Sequence, residues 1–123
     1  MNNSKDGFLI GRLKSLKFAL RGAWLLISTE HSIMIQIFLG VVVTILGFIM
    51  NISTQEWMFQ TLAIGLVLVA ESLNTGIEKL CDFIHPKYHE KIGFIKDISA
   101  GASTFAAIIA IIIGFIIYLP KFS

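Results

Sequence analysis

A chain of 123 residues with 55% hydrophobic residues, 15% charged residues and a mean hydropathy of +0.79 is one small domain, far more apolar than a water-soluble chain of that size. This excludes an ordinary soluble enzyme, and a net charge of +2 leaves nucleic acid a remote partner. The single cysteine, Cys81, has no partner for an intrachain disulfide and reads as a small apolar filler.

Taken in order, residues 1 to 6 are polar and expected to fray. From Gly7 to about Thr29, apolar Phe8, Leu9, Leu13, Leu16, Leu20, Trp24 and Ile27 recur at helical spacing against Arg12, Lys14, Lys17 and Arg21. That pattern predicts an amphipathic helix lying in a membrane interface, over about 7–29. No cleavable leader is expected, because Arg21 interrupts the early apolar run and Glu30 follows without a small-residue cleavage site. Ile33 to Met50 is uncharged and long enough for a first span over about 33–50. Asn51 to Glu56 is a short connection, so the first two spans should pack antiparallel. A second span is predicted over about 57–82, ended by Pro86, and a third over about 99–119, where Ala100 to Leu119 carries no charge. His85 to Ile95 is read as the connection between them. Ala102, Ala106, Ala110 and Gly114 recur every fourth residue and predict a smooth face for close helix contact.

Basic residues set the orientation. Lys5, Arg12, Lys14, Lys17 and Arg21 precede the first span, none occurs from Gly22 to Glu78, and Lys79, Lys87, Lys91 and Lys96 precede the last. The positive-inside rule then puts the N-terminus and the 79–97 segment in the cytoplasm of a multi-pass protein, with Asn51 to Glu56 outside.

The most informative stretch is Glu71-Ser72-Leu73-Asn74-Thr75-Gly76-Ile77-Glu78-Lys79-Leu80-Cys81-Asp82. At about 100° per residue, Glu71, Asn74, Thr75, Glu78 and Asp82 share one helix face, while Leu73, Ile77 and Leu80 lie off it. Trp57 to Ala70 is too short, at about 21 Å, to cross a hydrocarbon core of about 30 Å. Glu71 is therefore expected near the inner edge of the hydrocarbon and Glu78 at headgroup level. Ionisable groups so placed are expensive, and they mark a functional site.

Glu-x-Leu-Asn-Thr-x-Ile-Glu-x-x-x-Asp resembles the signature of the prokaryotic diacylglycerol kinase family, which includes undecaprenol kinases. Glu30 after a basic amphipathic N-terminus, Tyr88-His89, Lys96-Asp97 and the final apolar helix extend the likeness over nearly the whole chain. It implies an all-α membrane protein with an interfacial helix and three transmembrane helices. Three spans enclose little room for a polar site, so oligomerisation is expected; the resemblance makes it a homotrimer with shared active sites. It further implies ATP-dependent phosphorylation of a membrane lipid, diacylglycerol or undecaprenol, at a bacterial inner membrane.

Phosphoryl transfer needs phosphate charge neutralised, a base for the acceptor hydroxyl and cations on the nucleotide. Glu30 and Glu78 are hard oxygen donors suited to Mg²⁺, and Glu71, the deepest acid, meets an arriving lipid hydroxyl as general base. Asn74 orients Glu71 or the phosphate, Lys96 is a phosphate cation, and Asp97 accepts from a nucleotide hydroxyl or holds Lys96. By resemblance, nucleotide contacts fall on Lys14, Phe18, Asp82, Lys87, Tyr88, His89, Lys96 and Asp97, and acceptor contacts on Glu71, Asn74 and Ala100. No phosphate-binding glycine loop occurs, so ATP enters through the resemblance alone.

Some positions depart from the family pattern: Gly11 stands where many relatives have arginine, Phe18 where some have tyrosine, and Gly76 and Cys81 differ from the commonest signature residues. Ala100 stands where diacylglycerol-specific members tend to have serine, and Asp97 to Ala102 resembles the undecaprenol kinase branch. His85 and His89, four apart, are not read as a metal pair, since Pro86 breaks the helix between them. The competing class is a small cation or proton transporter using Glu71 and Glu78. Crowding of the acids at one membrane face speaks against it.

Overall fold

The computed structural model describes residues 7–122, so the polar start assigned to residues 1 to 6, Lys5 included, lies outside the described residues. The described chain is all helical: α1 (Phe8–Thr29), α2 (His31–Met50), α3 (Thr54–Ile84), α4 (Glu90–Tyr118) and a closing 3-10 turn (Leu119–Phe122). Two compact units divide it, one to Met34 and one from Ile35.

In the first unit α1 ends where Glu30 turns extended (φ −104°, ψ 113°), and α2 begins at the next residue. Ser28 and Thr29 donate their hydroxyls to the carbonyls four residues back, at 2.7 and 2.6 Å, a local alternative to continued helix. Exposed apolar side chains on α1 include the consecutive Phe8, Leu9 and Ile10, so its apolar surface is broader than one stripe.

The second unit is built on a helical hairpin. α2 ends in a Schellman turn: Asn51 takes the left-handed conformation (φ 55°), Ile52 N–H reaches the Gly47 carbonyl at 3.1 Å, and Asn51 N–H reaches that of Phe48 at 3.3 Å. Ser53 then caps α3 in a reciprocal box with Glu56, so the turn between helices is only Asn51 to Ser53. At 31 residues, about 46 Å, α3 exceeds the hydrocarbon thickness and its ends must project. The second connection is also shorter than expected, His85 to His89. Helix resumes at Glu90 rather than after Ile95, and the His89 ring accepts from the Lys91 N–H at 3.0 Å and caps it.

α3 and α4 pack antiparallel along a regular seam. Gln60 meets Tyr118 at the end beside the Asn51 to Ser53 turn, termed the outer end, and Asp82 meets Lys96 at the end beside the His85 to His89 connection, termed the inner end. The two ties are 22 residues apart on both helices. On α4 the seam side holds Ser99, Ser103, Ala106, Ala110, Ile113 and Ile117, alternating three and four residues as 3.6 residues per turn requires. The every-fourth stripe is corrected accordingly. Ala102 is exposed, since a strict step of four rotates off the contact line, while Ala106 is 4% exposed. The best packed region is the outer end, where Ile52, Ile117 and Tyr118 gather Val43, Leu46, Met50, Trp57 and Ile113.

Little else is buried. Large apolar side chains stay exposed along all four helices, and α2, α3 and the final helix with its 3-10 turn are each long and apolar enough to cross a membrane. Such a surface suits hydrocarbon rather than water.

Candidate functional site

The inner half of α3 carries the predicted acids. Glu71 is half-buried, Asn74 and Thr75 are buried, and Glu78 and Asp82 are exposed, while Leu73, Ile77 and Leu80 face outward. The polar stripe is thus a graded line, running from the seam with α4 towards the helix end. Asn74 donates its amide to Glu78 Oε1 at 3.1 Å, one turn along. The sequence suggested Asn74 as an orienter of Glu71 or phosphate; its bonded partner is Glu78. The other amide atom, Oδ1, is buried without a hydrogen-bond partner.

Across the seam, Lys96 donates to Asp82 Oδ1 at 2.6 Å. Asp97 had been a candidate for holding Lys96, but it is one residue further round the helix, about 100° away, and exposed. Lys96 precedes the uncharged segment of α4, and the hydrogen bond it donates to the Asp82 carboxylate, opposed by partial desolvation, raises its pKa above the usual lysine value. The ammonium is fully charged at neutral pH and already aimed at an acceptor.

The His85 to His89 connection gathers the remaining candidates. His85 Nδ1–H donates to the Lys87 carbonyl at 2.7 Å, which fixes the backbone on both sides of Pro86. His89 Nδ1 accepts from backbone and so carries its proton on Nε2. Although Pro86 separates them, the two imidazoles meet edge to face with centroids 5.3 Å apart, a contact the sequence reading missed. The Tyr88 ring lies over Gly93, where a Cβ would come within 3.2 Å of it, and is otherwise 85% exposed. Lys87 and Ala100 are exposed.

Lys14, Phe18 and Glu30 belong to the first unit. Lys14 and Phe18 are exposed on α1, and Glu30 is the residue between α1 and α2, its Oε2 accepting from the Thr29 hydroxyl at 3.1 Å. Among the described residues no three His, Cys, Asp or Glu side chains converge as a protein-only metal cage. Mg²⁺ does not need one, because one or two carboxylates with substrate phosphates and waters suffice. An exposed Glu78 held in orientation by Asn74 fits that donor chemistry.

Polar residues outside the sequence-derived set also line the seam. Ser99 is buried, and Ser103 Oγ is buried without a partner. Their spacing of four on an otherwise small and apolar face was the available signal.

Acids and a paired lysine at one end of an apolar hairpin agree with what comparison with known proteins finds. Residues 17–118 match the prokaryotic diacylglycerol kinase family. The chain belongs to that family. Over 108 residues it is 40% identical to the undecaprenol kinase of Bacillus subtilis, covering 88% of each chain. Over 109 residues it is 32% identical to the diacylglycerol kinase of Synechocystis sp., covering 88% of this chain and 62% of that protein. This member of the family is accordingly a membrane protein and a lipid kinase, with ATP as co-substrate.

Proposed function

We propose that the protein transfers the γ-phosphate of ATP to the hydroxyl of a membrane lipid, undecaprenol in preference to diacylglycerol, with Glu71 as general base. The observation that carries this reading is the order along α3: a half-buried carboxylate, then an amide-oriented carboxylate about two turns nearer the helix end, then a carboxylate already paired with a lysine. A lipid alcohol arrives from hydrocarbon and a nucleotide from water, so the base belongs at the deep end of such a series and phosphate-binding groups at the shallow end. The Glu71 carboxylate takes the alcohol proton as the oxygen bonds to the γ-phosphorus and the bond to ADP breaks. Asn74 keeps Glu78 turned one way, and Lys96 swings from Asp82 to the phosphates with little rearrangement. Glu30 and Glu78 would hold Mg²⁺, which supplies neutralisation of phosphate charge. Lys14, Phe18, Lys87, Tyr88, His89, Asp97 and Asp82 surround the nucleotide in this reading, and Ala100 leaves room beside the acceptor.

The same reading makes the protein a homotrimer with active sites shared between subunits, its N-terminus on the cytoplasmic side of a bacterial inner membrane. Support comes from the exposed apolar faces and from the basic residues gathered at the α1 end and around the His85 to His89 connection.

Purified protein with Mg²⁺ and γ-labelled ATP should label undecaprenol more strongly than diacylglycerol when both are offered. Glu71→Gln should abolish transfer to either while the oligomer stays intact; undiminished transfer in that variant removes Glu71 as base.

A further inference from the structure

Two polar atoms on the α3–α4 seam are buried and unmatched: Asn74 Oδ1, on a side chain more than nine-tenths buried, and Ser103 Oγ. Folded proteins rarely leave such groups unpaired, because the lost hydrogen bonds to water are not replaced. The constant register of the hairpin puts them at one depth. Counting seven residues from the Asp82–Lys96 tie reaches Thr75 on α3 and Ser103 on α4, with Asn74 the next residue along. Glu71 lies one turn deeper on the same side of α3.

An apolar trough of about 590 Å³ lies beside the hairpin and ends one turn short of Ser103 on α4 and two turns short of Asn74 on α3. α2 touches the hairpin at the Ile52, Ile117 and Tyr118 cluster and again at Gly40, where a Cβ would come within 3.2 Å of Ile64, and the channel runs beside these contacts along Val67, Ala107 and Ala110. Its inner limit is Val67 and Ala107, one turn short of Glu71 and Ser103 respectively. At the far end Gln60 and Tyr118 are bonded to each other, so their polar groups are not spare. The volume is that of a small-ligand pocket, about 300–1,000 Å³.

We propose that Ser103 is an acceptor-binding residue: its hydroxyl donates to the oxygen of a single-chain lipid alcohol whose chain lies in the trough. The alcohol's own proton rests on Asn74 Oδ1 in the bound ground state and turns to Glu71, one helical turn away, for transfer. A hydroxyl carries one donor and two acceptor sites, and this pair offers one donor and an amide oxygen that only accepts. Apart from the bonded Gln60 and Tyr118, the trough lining carries one polar side chain, Gln36 on α2, and is otherwise apolar, so a single hydrocarbon chain ending in one hydroxyl matches it better than a headgroup with two carbonyls. The inference rests on the lipid kinase reading for the identity of the alcohol as substrate, but not for its binding.

Binding is tested without nucleotide. Thermal unfolding of the purified protein in detergent is followed with geranylgeraniol and with its methyl ether, which keeps the chain and lacks the donor. The alcohol should raise the wild-type Tm more than the ether does; Ser103→Ala should erase that difference, and Ser103→Thr should keep it. Without probe, Ser103→Ala should unfold no earlier than wild type, since the hydroxyl it removes is unmatched. If it does unfold earlier, the near-isosteric Ser103→Cys takes its place in the comparison. In the transfer assay Ser103→Ala should raise KM for geranylgeraniol roughly three- to tenfold with KM for ATP unchanged. An equal response of wild type to alcohol and ether, a difference that survives in Ser103→Ala, or a response to neither, which leaves the trough to a helix of a second copy, each overturns the proposal. Discrimination of the probes without any phosphate transfer would sink the lipid kinase reading and leave Ser103 as the binding residue.

Discussion

Asn51 and Ser53 do most of the local work at the outer turn, and both act through backbone geometry. A left-handed φ of 55° suits Asn or Gly and strains a β-branched residue. Asn51→Val should therefore lower stability by about 1–3 kcal/mol, while Asn51→Gly stays near wild type in thermal unfolding. Glu56 closes the same turn: the Ser53 N–H bonded to its carboxylate is the main cause that lowers its pKa, with partial desolvation opposing and Lys121 at 3.3 Å adding to it. It precedes the uncharged run that begins at Trp57. Because its folded pKa is depressed, its stabilisation is present above the ordinary carboxylate pKa and is lost as pH falls through the lowered value. The Tm gap between wild type and Glu56→Gln should accordingly narrow on acidification, and a gap that stays constant would exclude Glu56 as its source. At the inner end, Asp82→Asn should free Lys96 and change KM for ATP more than KM for lipid.

Among the elements, α3 and α4 share the longest seam, and α2 joins them at a few close points. Tyr118 donates to Gln60 Oε1 across the seam, and Gln60 Nε2 reaches the Val43 carbonyl at 3.3 Å, so three helices meet at one buried polar knot. Interhelical bonds of this kind contribute about 0.6–1.7 kcal/mol in a membrane, and Tyr118→Phe should lower stability by that order. Gly47 lets α2 come in: a Cβ there would meet the Trp57 ring at 2.7 Å, and that ring is already packed against Phe48 in a tilted arrangement with centroids 4.8 Å apart. Gly47→Ala should destabilise measurably in detergent, whereas Gly22→Ala, with open space around it, should not. The hydrophobic pattern sufficed to locate these helices, since long uncharged runs have few alternatives. It missed the start of α4 at Glu90, because a capping histidine extends a helix into residues that read as a polar connection.

On the scale of the whole molecule, the exposed apolar surface makes this a membrane protein, and the split of basic residues is what the proposed orientation rests on. Single cysteines placed at Gln55 and Lys87 in a Cys81→Ser background should react with an impermeant maleimide from opposite sides of the membrane. Labelling from one side would undo the proposed orientation. The sequence by itself determined the helical membrane architecture, the family and the series of acids on α3, because lipid admits so few backbone solutions that apolar length and polar interruptions almost dictate them. Only the tertiary structure decided which partners those polar groups take. It paired Lys96 with Asp82 rather than Asp97, bonded Asn74 to Glu78, and left Ser103 unmatched beside an apolar trough. The Lys96 pairing and the unmatched Ser103 depend on the register of one helix against another, which periodicity along a single helix does not contain. Asn74 chose between i−3 and i+4 neighbours on its own helix, a choice of side-chain rotamer that spacing leaves open.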